Sequence, residues 1–452
     1  MTALDGSLSV DGGQEPSSVT RASSPCLMGT ETVRNLRHRF RNVEKSLAKV
    51  APARMFAAIP RTGGFAYRTL LRRHSGDRSA GLPDTRLTPS LLAHVAMDEA
   101  IITAAVGPNR LPTRSDFERV SGELRDARAL YDEHGWIQDP GSYHRVPPAL
   151  DRVQTKPGWA NGLSYELVLF TSEYEPHENE PGRERWLDFH TNRTASAWML
   201  RHPDSDSTQR PWLVCIHGFG TGQAYMDFPA FHVSHLHHDL GLNLLGPVLP
   251  LHGHRRVGRF GGDQFLSVDL INSVHGLSQA VWDIRRLLGF VRAHEPGGQH
   301  VSVYGVSLGA YVAALLACFD ADLDAVIAGI PVSDFPALYG SQSPPVIKAR
   351  SIEAGILGGP AEMVHRVVSP LALPPLVPSQ RRFIFAGEAD RMSHPRQAHN
   401  LWRHWDEPRI LWYPGNHVGY LWSGAVKHFV DEALVASGAD ARARGRESVE
   451  IA

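Results

Sequence analysis

From about residue 163 the chain alternates between two periodicities. Short, nearly continuous apolar runs are followed by stretches with apolar residues three and four apart. The runs are SYELVLFTSEY (164–174), ASAWMLRH (195–202), PWLVCIHGFG (211–220), LNLLGPVLPLHGH (242–254), HVSVYG (300–305), AVIAGI (325–330), RRFIFAGE (381–388) and RILWYPG (409–415). They read as strands. HGLSQAVWDIRRLLGFVRAH (275–294), LGAYVAALLACF (308–319), PRQAHNLWRHW (395–405) and GYLWSGAVKHFVDEALVAS (419–437) read as helices. Strands without a polar face are buried on both sides. The alternation therefore predicts an α/β domain over 163–437, a mostly parallel central sheet with helices on both faces. A Pro-rich stretch, 331–380, interrupts it.

Ahead of 163 the pattern is helical. Val33, Leu36, Phe40, Val43, Leu47 and Val50 form one stripe, with Arg34, Arg37, Arg41, Lys45 and Lys49 opposite. A basic amphipathic helix over 33–50 lies on an anionic membrane, docks on a partner, or packs on its own body. The last is the commoner use of a short amphipathic helix. Thr88-Pro89 reads as a helix start, and Ser115-Asp116-Phe117-Glu118 has capping-box form. Gly135 would end that second helix. Residues 31–162 are thus expected to form a basic, helical N-terminal extension. Residues 1–30 and the tail 438–452 have the composition of disordered segments.

Charge narrows the function classes. Lys+Arg (46) and Asp+Glu (47) nearly cancel, so no global nucleic-acid footprint is expected. Cys26, Cys215 and Cys318 have no metal-ligand spacing, and the last two sit in apolar runs as small hydrophobes. No run reaches the roughly 18 apolar residues of a membrane span. The polar N-terminus lacks a secretory layout, so a cytoplasmic location is expected, with membrane association through 33–50 as the variant. The histidine-rich stretch 231–240, with His232, His235, His237, His238 and Asp239, is followed by His252 and His254. It lacks the HExxH form, and solvated or hydrogen-bonding histidines are the plainer reading. No metal or organic cofactor is expected.

One stretch carries chemistry. In VSVYGVSLGAYVAALLAC (301–318), Gly305-Val306-Ser307-Leu308-Gly309 has the form G-x-S-x-G at the joint of a strand and a helix. Larger residues two positions either side of the serine would collide with neighbouring backbone in so tight a turn. The turn exposes the Ser307 hydroxyl at the carboxyl edge of the sheet. It also aims the Leu308 N–H, at the helix N-terminus, toward the same point. An ordinary strand–helix turn is the plainer alternative.

A serine needs a base. Asp390 follows one strand end and His417 the next, 27 residues later, with room for one helix and one strand between them. The plainer readings are an Asp390 that pairs with Arg391 or caps the helix from 395, and a histidine that merely precedes a helix. Asp334, after the preceding strand, is the rival acid, and Glu388 a weaker one. The glycine-rich loop HGFGTG (217–222) supplies a second backbone donor, Phe219 first and Gly220 next.

On LVCIHGFG, VYGVSLGAYVA, GEAD and NHVGY, the chain resembles the α/β-hydrolase superfamily over roughly 60% of its length. The nearest likeness is to serine esterases, lipases and dienelactone-hydrolase-like members. The resemblance implies a Ser307–His417–Asp390 triad, an oxyanion hole from Leu308 and Phe219, and cleavage of a small-molecule or lipid ester through an acyl-enzyme. It also implies that 331–380 is a cap, with Ile347, Ile352, Ile356 and Leu357 lining an acyl pocket, unless these pack as surface helices. Acyl transfer on the same fold and a non-catalytic binding protein are the alternatives.

Overall fold

The computed structural model describes residues 58–75, 81–105, 112–203, 210–258, 260–436 and 438. Contacts divide the chain into Met1–Pro52 and Ala53–Ala452, and every described residue lies in the second unit. The segment 1–30, Cys26, the amphipathic stretch 33–50 and the tail beyond 438 lie outside the described residues.

Nine strands form one sheet: β1 (Gln154–Ala160), β2 (Leu163–Thr171), β3 (Thr194–Leu200), β4 (Trp212–Ile216), β5 (Asn243–Pro247), β6 (Val301–Val306), β7 (Ala325–Gly329), β8 (Arg382–Gly387) and β9 (Arg409–Tyr413). Their order is β1-β2-β3-β5-β4-β6-β7-β8-β9. The pairs β1–β2, β2–β3 and β3–β5 are antiparallel. Every pair from β5 to β9 is parallel. The helices are α1 (Ala58–Ser75), α2 (Pro89–Ala105), α3 (Arg114–Glu133), α4 (Arg183–Leu187), α5 (Ala224–Ala230), α6 (Leu270–His294), α7 (Leu308–Leu316), α8 (Phe335–Gln342), α9 (Pro345–Glu353), α10 (Pro360–His365), α11 (Pro395–His404) and α12 (Gly424–Ala436).

The parallel strands feed two cores. In β4, Trp212, Val214 and Ile216 enter one apolar cluster, and Leu213 and Cys215 enter the other. In β6, Val301 and Val303 take the first side, Tyr304 and Val306 the second. Successive side chains leave opposite faces, and both faces are covered, so these strands are apolar at nearly every position, with Ser302 of β6 a buried exception. Cys215 and Cys318 are free and buried, and burial pushes both thiols up, Cys318 to about 12.

The sheet starts earlier than the change of pattern at 163. β1 is mostly exposed and contains Pro157. An edge strand tolerates polar side chains and a missing N–H, so it carries no apolar alternation to read.

Of the helices ahead of the sheet, α3 shares its core, while Phe65 of α1 and Leu91 and Val95 of α2 form a separate cluster with Ala389. Thr88 caps α2, its Oγ accepting the Leu91 N–H at 3.1 Å. The capping box of α3 lies two residues upstream of the expected position. Thr113 and Asp116 exchange the two bonds, while Glu118 pairs with Arg114 one turn back. Gly135, at φ 71°, ends the helix. Its N–H reaches Asp132 O, and that of Trp136 reaches Tyr131 O, which together satisfy the last carbonyls. Phe117, Val120, Leu124, Ala127 and Tyr131 of α3 join the first core. The hydroxyls of Tyr131 and Tyr143 both donate to the buried Glu180.

Between β7 and β8 the chain forms α8, α9 and α10. Ile347 and Ile356 enter the core, Leu357 packs at its edge, and Ile352 is exposed. No described helix is long and apolar enough to cross a membrane.

The α3 cap gives a test of the extension's share in stability. Thr113→Ala should cost about 1 kcal/mol, read as a lower urea midpoint at constant slope. An unchanged midpoint would show that the cap contributes nothing.

Candidate active site

β6 ends at Val306 and α7 begins at Leu308, so one residue makes the turn. That residue, Ser307, has φ 57° and ψ −115°. A side-chain-bearing residue at positive φ costs of order 1–3 kcal/mol. Surrounding hydrogen bonds hold it there. The Ser307 N–H donates to Gly329 O at 2.9 Å, and Ser307 O accepts from Ala310 and Tyr311 N–H at 3.1 and 3.2 Å.

The flanking glycines are sterically required. A Cβ on Gly305 would lie 2.1 Å from Gly309 O. A Cβ on Gly309 would lie 1.9 Å from Ile216 O and 2.6 Å from His217 O. Leu308 opens α7, so its N–H has no carbonyl one helical turn back and sits at the positive end of the helix dipole.

Asp390 follows β8 and His417 follows β9. The structure brings both to Ser307. Ser307 Oγ is 3.0 Å from His417 Nε2, and His417 Nδ1 is 2.7 Å from Asp390 Oδ2. With the Nδ1 proton donated to the carboxylate, Nε2 carries the lone pair that accepts the serine hydroxyl. Asp390 Oδ1 accepts from the N–H groups of Met392 and Ser393 at 2.9 and 2.8 Å, which fixes the carboxylate. His417 and Asp390 are buried, Ser307 half-buried.

The rival acids lie elsewhere. Asp334 caps α8 by accepting the Ala337 N–H at 3.0 Å. Glu388 continues the β8–β9 pairing through its N–H to Tyr413 O, and burial and Asp84 raise its carboxyl.

Burial opposes a charged imidazole at His417. The charge and hydrogen bond of Asp390, then the charge of Asp98, outweigh it, so His417 titrates above the usual histidine value.

Asp98 was absent from the sequence reading. It comes from α2 and is fully buried. Its Oδ2 accepts from the N–H groups of His417 and Arg391 at 3.0 and 2.9 Å, and its Oδ1 from the Asn416 side-chain amide at 2.7 Å. Burial, then the charge of Asp390, push its carboxyl up to about 6. The available signal was the acid pair Asp98-Glu99 in the otherwise apolar helix PSLLAHVAMDEAIITAA.

The loop 217–222 closes on the elbow. A Cβ on Gly218 would lie 3.5 Å from Ser307 Cβ, so the Gly218–Phe219 peptide runs beside the serine. His217 is buried, and burial lowers it to about 4, which keeps it neutral. Its Nδ1–H donates to Gly218 O at 2.8 Å, and its Nε2 accepts the Leu249 N–H at 3.0 Å. Asp227, buried and pushed up to about 7, accepts the Gly222 N–H at 3.1 Å and the Trp198 indole N–H at 3.1 Å. The Phe219 ring is 37% exposed and packs edge-on against His252.

The remaining histidines make local bonds. His232, at φ 52°, lies between α5, which stops at Ala230, and a short π-helical turn, His235–Asp239, so the histidines of this stretch are not presented by one regular helix. His235 bonds Asp239 and Asp431, and His237 bonds Leu242 O. His252 bonds Pro250 O, and His254 bonds Ser196. Among the described residues no three His, Cys, Asp or Glu side chains are grouped as metal ligands.

The mixed sheet, helices on both faces and positive-φ serine at the β6–α7 joint are the α/β-hydrolase fold. The chain is 39% identical over 368 residues to an uncharacterized protein of Mycobacterium tuberculosis strain CDC 1551 / Oshkosh, covering 81% of this chain and 87% of the relative. An uncharacterized protein of strain ATCC 25618 / H37Rv matches at the same identity and coverage. The chain belongs to the family of these mycobacterial proteins. Among solved structures, an acetyl xylan esterase from Paenibacillus sp. R4 aligns at 15% identity and TM-score 0.44, over 74% of this chain and 97% of its own. Acetyl xylan esterase 1 from Thermoanaerobacterium sp. JW/SL YS485 aligns at 13% identity and TM-score 0.40, over 69% and 90%. No family model matches the chain.

The elbow geometry is testable through stability. Gly309→Ala should destabilise the fold by about 3 kcal/mol, because the methyl meets backbone rather than a movable side chain. A melting temperature equal to wild type would contradict the close approach of α7 to the end of β4.

Proposed function

We propose that this chain is a serine hydrolase that cleaves a carboxylic ester through an acyl-enzyme. The observation that carries the reading is the unbroken hydrogen-bond chain from Ser307 through His417 to Asp390 at the strand–helix joint. In this reading His417 Nε2 takes the Ser307 proton as Oγ attacks the ester carbonyl. Asp390 orients the imidazole and stabilises the imidazolium that forms. The backbone N–H groups of Leu308 and Phe219 hold the tetrahedral oxyanion. His417 then protonates the departing alkoxide, leaving the acyl group on Ser307. Water, deprotonated by the same Nε2, attacks the acyl carbonyl. Collapse releases the acid and returns the proton to Oγ.

The substrate class in this reading is a small-molecule or lipid ester. The hydrolase domain is taken as 163–437, with the segment between β7 and β8 as its insertion. Lipid contact through 33–50 remains part of the same proposal.

A fluorophosphonate probe should label the wild type. Labelling should vanish in Ser307→Ala and fall at least 10²-fold in rate in His417→Ala and Asp390→Asn. Folded wild type that does not label would overturn the reading. Short- and long-chain p-nitrophenyl esters then sort the acyl preference.

The pH profile follows from the histidine. The base works only when neutral, and its pKa is raised above 6.5. On p-nitrophenyl acetate, kcat/KM should rise with pH and reach half its plateau above pH 6.5. A midpoint near pH 5 would contradict the balance of burial and carboxylate charge at His417.

A further inference from the structure

We propose that Asp98 is a positioning residue for His417, through which helix α2 joins the acid-bearing and histidine-bearing loops and sets the charge balance of the imidazole. The inference rests on the serine-hydrolase reading for its kinetic consequence, and on geometry alone for its structural part.

The geometry is specific. Asp98 Oδ2 receives two backbone N–H groups from different loops, Arg391 at 2.9 Å and His417 at 3.0 Å. One is the neighbour of Asp390 and the other belongs to His417 itself. A single oxygen therefore fixes the separation of the two loops that carry the acid and the base. Oδ1 takes the amide of Asn416, the residue before the histidine. A fully buried carboxylate is costly unless its lone pairs are satisfied. Here three donors satisfy it, and all three come from the site.

Neighbouring residues of α1 and α2 keep Asp98 in place. Glu99 holds the Arg391 guanidinium at 2.9 Å, and Arg61 of α1 reaches Glu99 at 3.5 Å. Phe65 of α1 lies under the Arg391 guanidinium and clusters with Leu91, Val95 and Ala389. The contact between α1–α2 and the acid loop is thus apolar, ionic and hydrogen-bonded at once.

The charged and titratable groups around this point come from four elements. Asp390 and Arg391 come from the acid loop, and His417 from the histidine loop. Tyr413 comes from β9, and its hydroxyl is raised by burial and by Asp390 and Asp98. His94, one turn earlier on α2, lies near Gly415. Arg391 turns its charge to Glu99, so His417 is the cation that Asp98 and Asp390 share. When His417 takes the serine proton, the new positive charge forms beside two carboxylates.

The test uses full-length protein with ring-labelled histidine, the His417 resonance being assigned by its loss in His417→Gln. Its titration is followed by NMR in wild type, Asp98→Asn and Asp98→Ala, with kcat and KM for p-nitrophenyl acetate measured across pH. Asp98→Asn keeps an oxygen for the backbone donors but removes the charge. It should lower the His417 pKa by about one unit and move the acid limb of kcat/KM down equally. Asp98→Ala removes the clamp and should lower kcat by about 10–10², with KM changed less than about two-fold. An Asp98→Asn titration that matches wild type overturns the proposal, even if its melting temperature falls, because a purely structural role predicts that result. If wild type hydrolyses no ester, the serine-hydrolase reading fails, and the NMR titration still decides for or against Asp98. If Asp98→Ala does not fold, Asp98→Asn alone decides.

Discussion

The structure around the site depends on one close backbone approach, that of Gly309 to the end of β4. Its missing Cβ lets α7 come against the carbonyls of Ile216 and His217. This contact turns the chain through Ser307 within a single residue and forces its φ positive. It also sets where the loop 217–222 begins. The serine and the loop beside it are therefore positioned by the same steric fact. The loop's own bonds, from His217 to Gly218 and Leu249 and from Asp227 to Gly222, keep it where that contact puts it.

Burial then decides the electrostatics. His217 and His252 are buried without a carboxylate at the ring, and burial drives both to low values, about 4 and about 3. His417 is equally buried but moves the other way, because Asp390 and Asp98 lie beside it. Histidines in one small region thus divide into neutral hydrogen-bonding struts and one titrating base. The difference comes from the neighbours, since depth is common to all three. Burial, then the charge of Asp390, also raises Asp98 to about 6.

The parts of the fold legible in the sequence are those whose physics is local. A parallel strand covered on both faces is apolar at most positions, so β4 to β8 are legible as runs, and the partly buried edge strand β9 is legible from its apolar residues 410–413. A nucleophile turn needs small residues at fixed offsets, so Gly305, Ser307 and Gly309 stood out, and strand ends pointed to Asp390 and His417. β1 was not readable, because an edge strand with Pro157 has no apolar requirement. At the start of α3 both Ser115-x-x-Glu118 and Thr113-x-x-Asp116 have box-like form, and the structure uses the second, two residues upstream of the expected one. Asp98 was illegible for a deeper reason. Its partners lie about 300 residues away, and its only local mark is being an acid in an apolar helix.

That distance also explains why a carboxylate, rather than more sheet, finishes the site. Beyond Gly387 and Tyr413 the ladder between β8 and β9 continues for two bonds, Glu388 N–H to Tyr413 O and Ala389 N–H to Gly415 O. Past those, the two loops present donors to each other, Arg391 N–H on one side and His417 N–H on the other. Two N–H groups cannot bond one another, and leaving both unpaired in the interior costs about 1–3 kcal/mol each. Asp98 of α2 supplies the acceptor that joins them. A hydroxyl or amide could accept, but its own protons would then need partners in the same crowded space. An ionised carboxylate accepts from both without donating, and it adds negative charge where an imidazolium must form. Helix α2 is therefore tied to the histidine by a requirement of hydrogen-bond chemistry, and not only by its apolar contact with Ala389 of the acid loop.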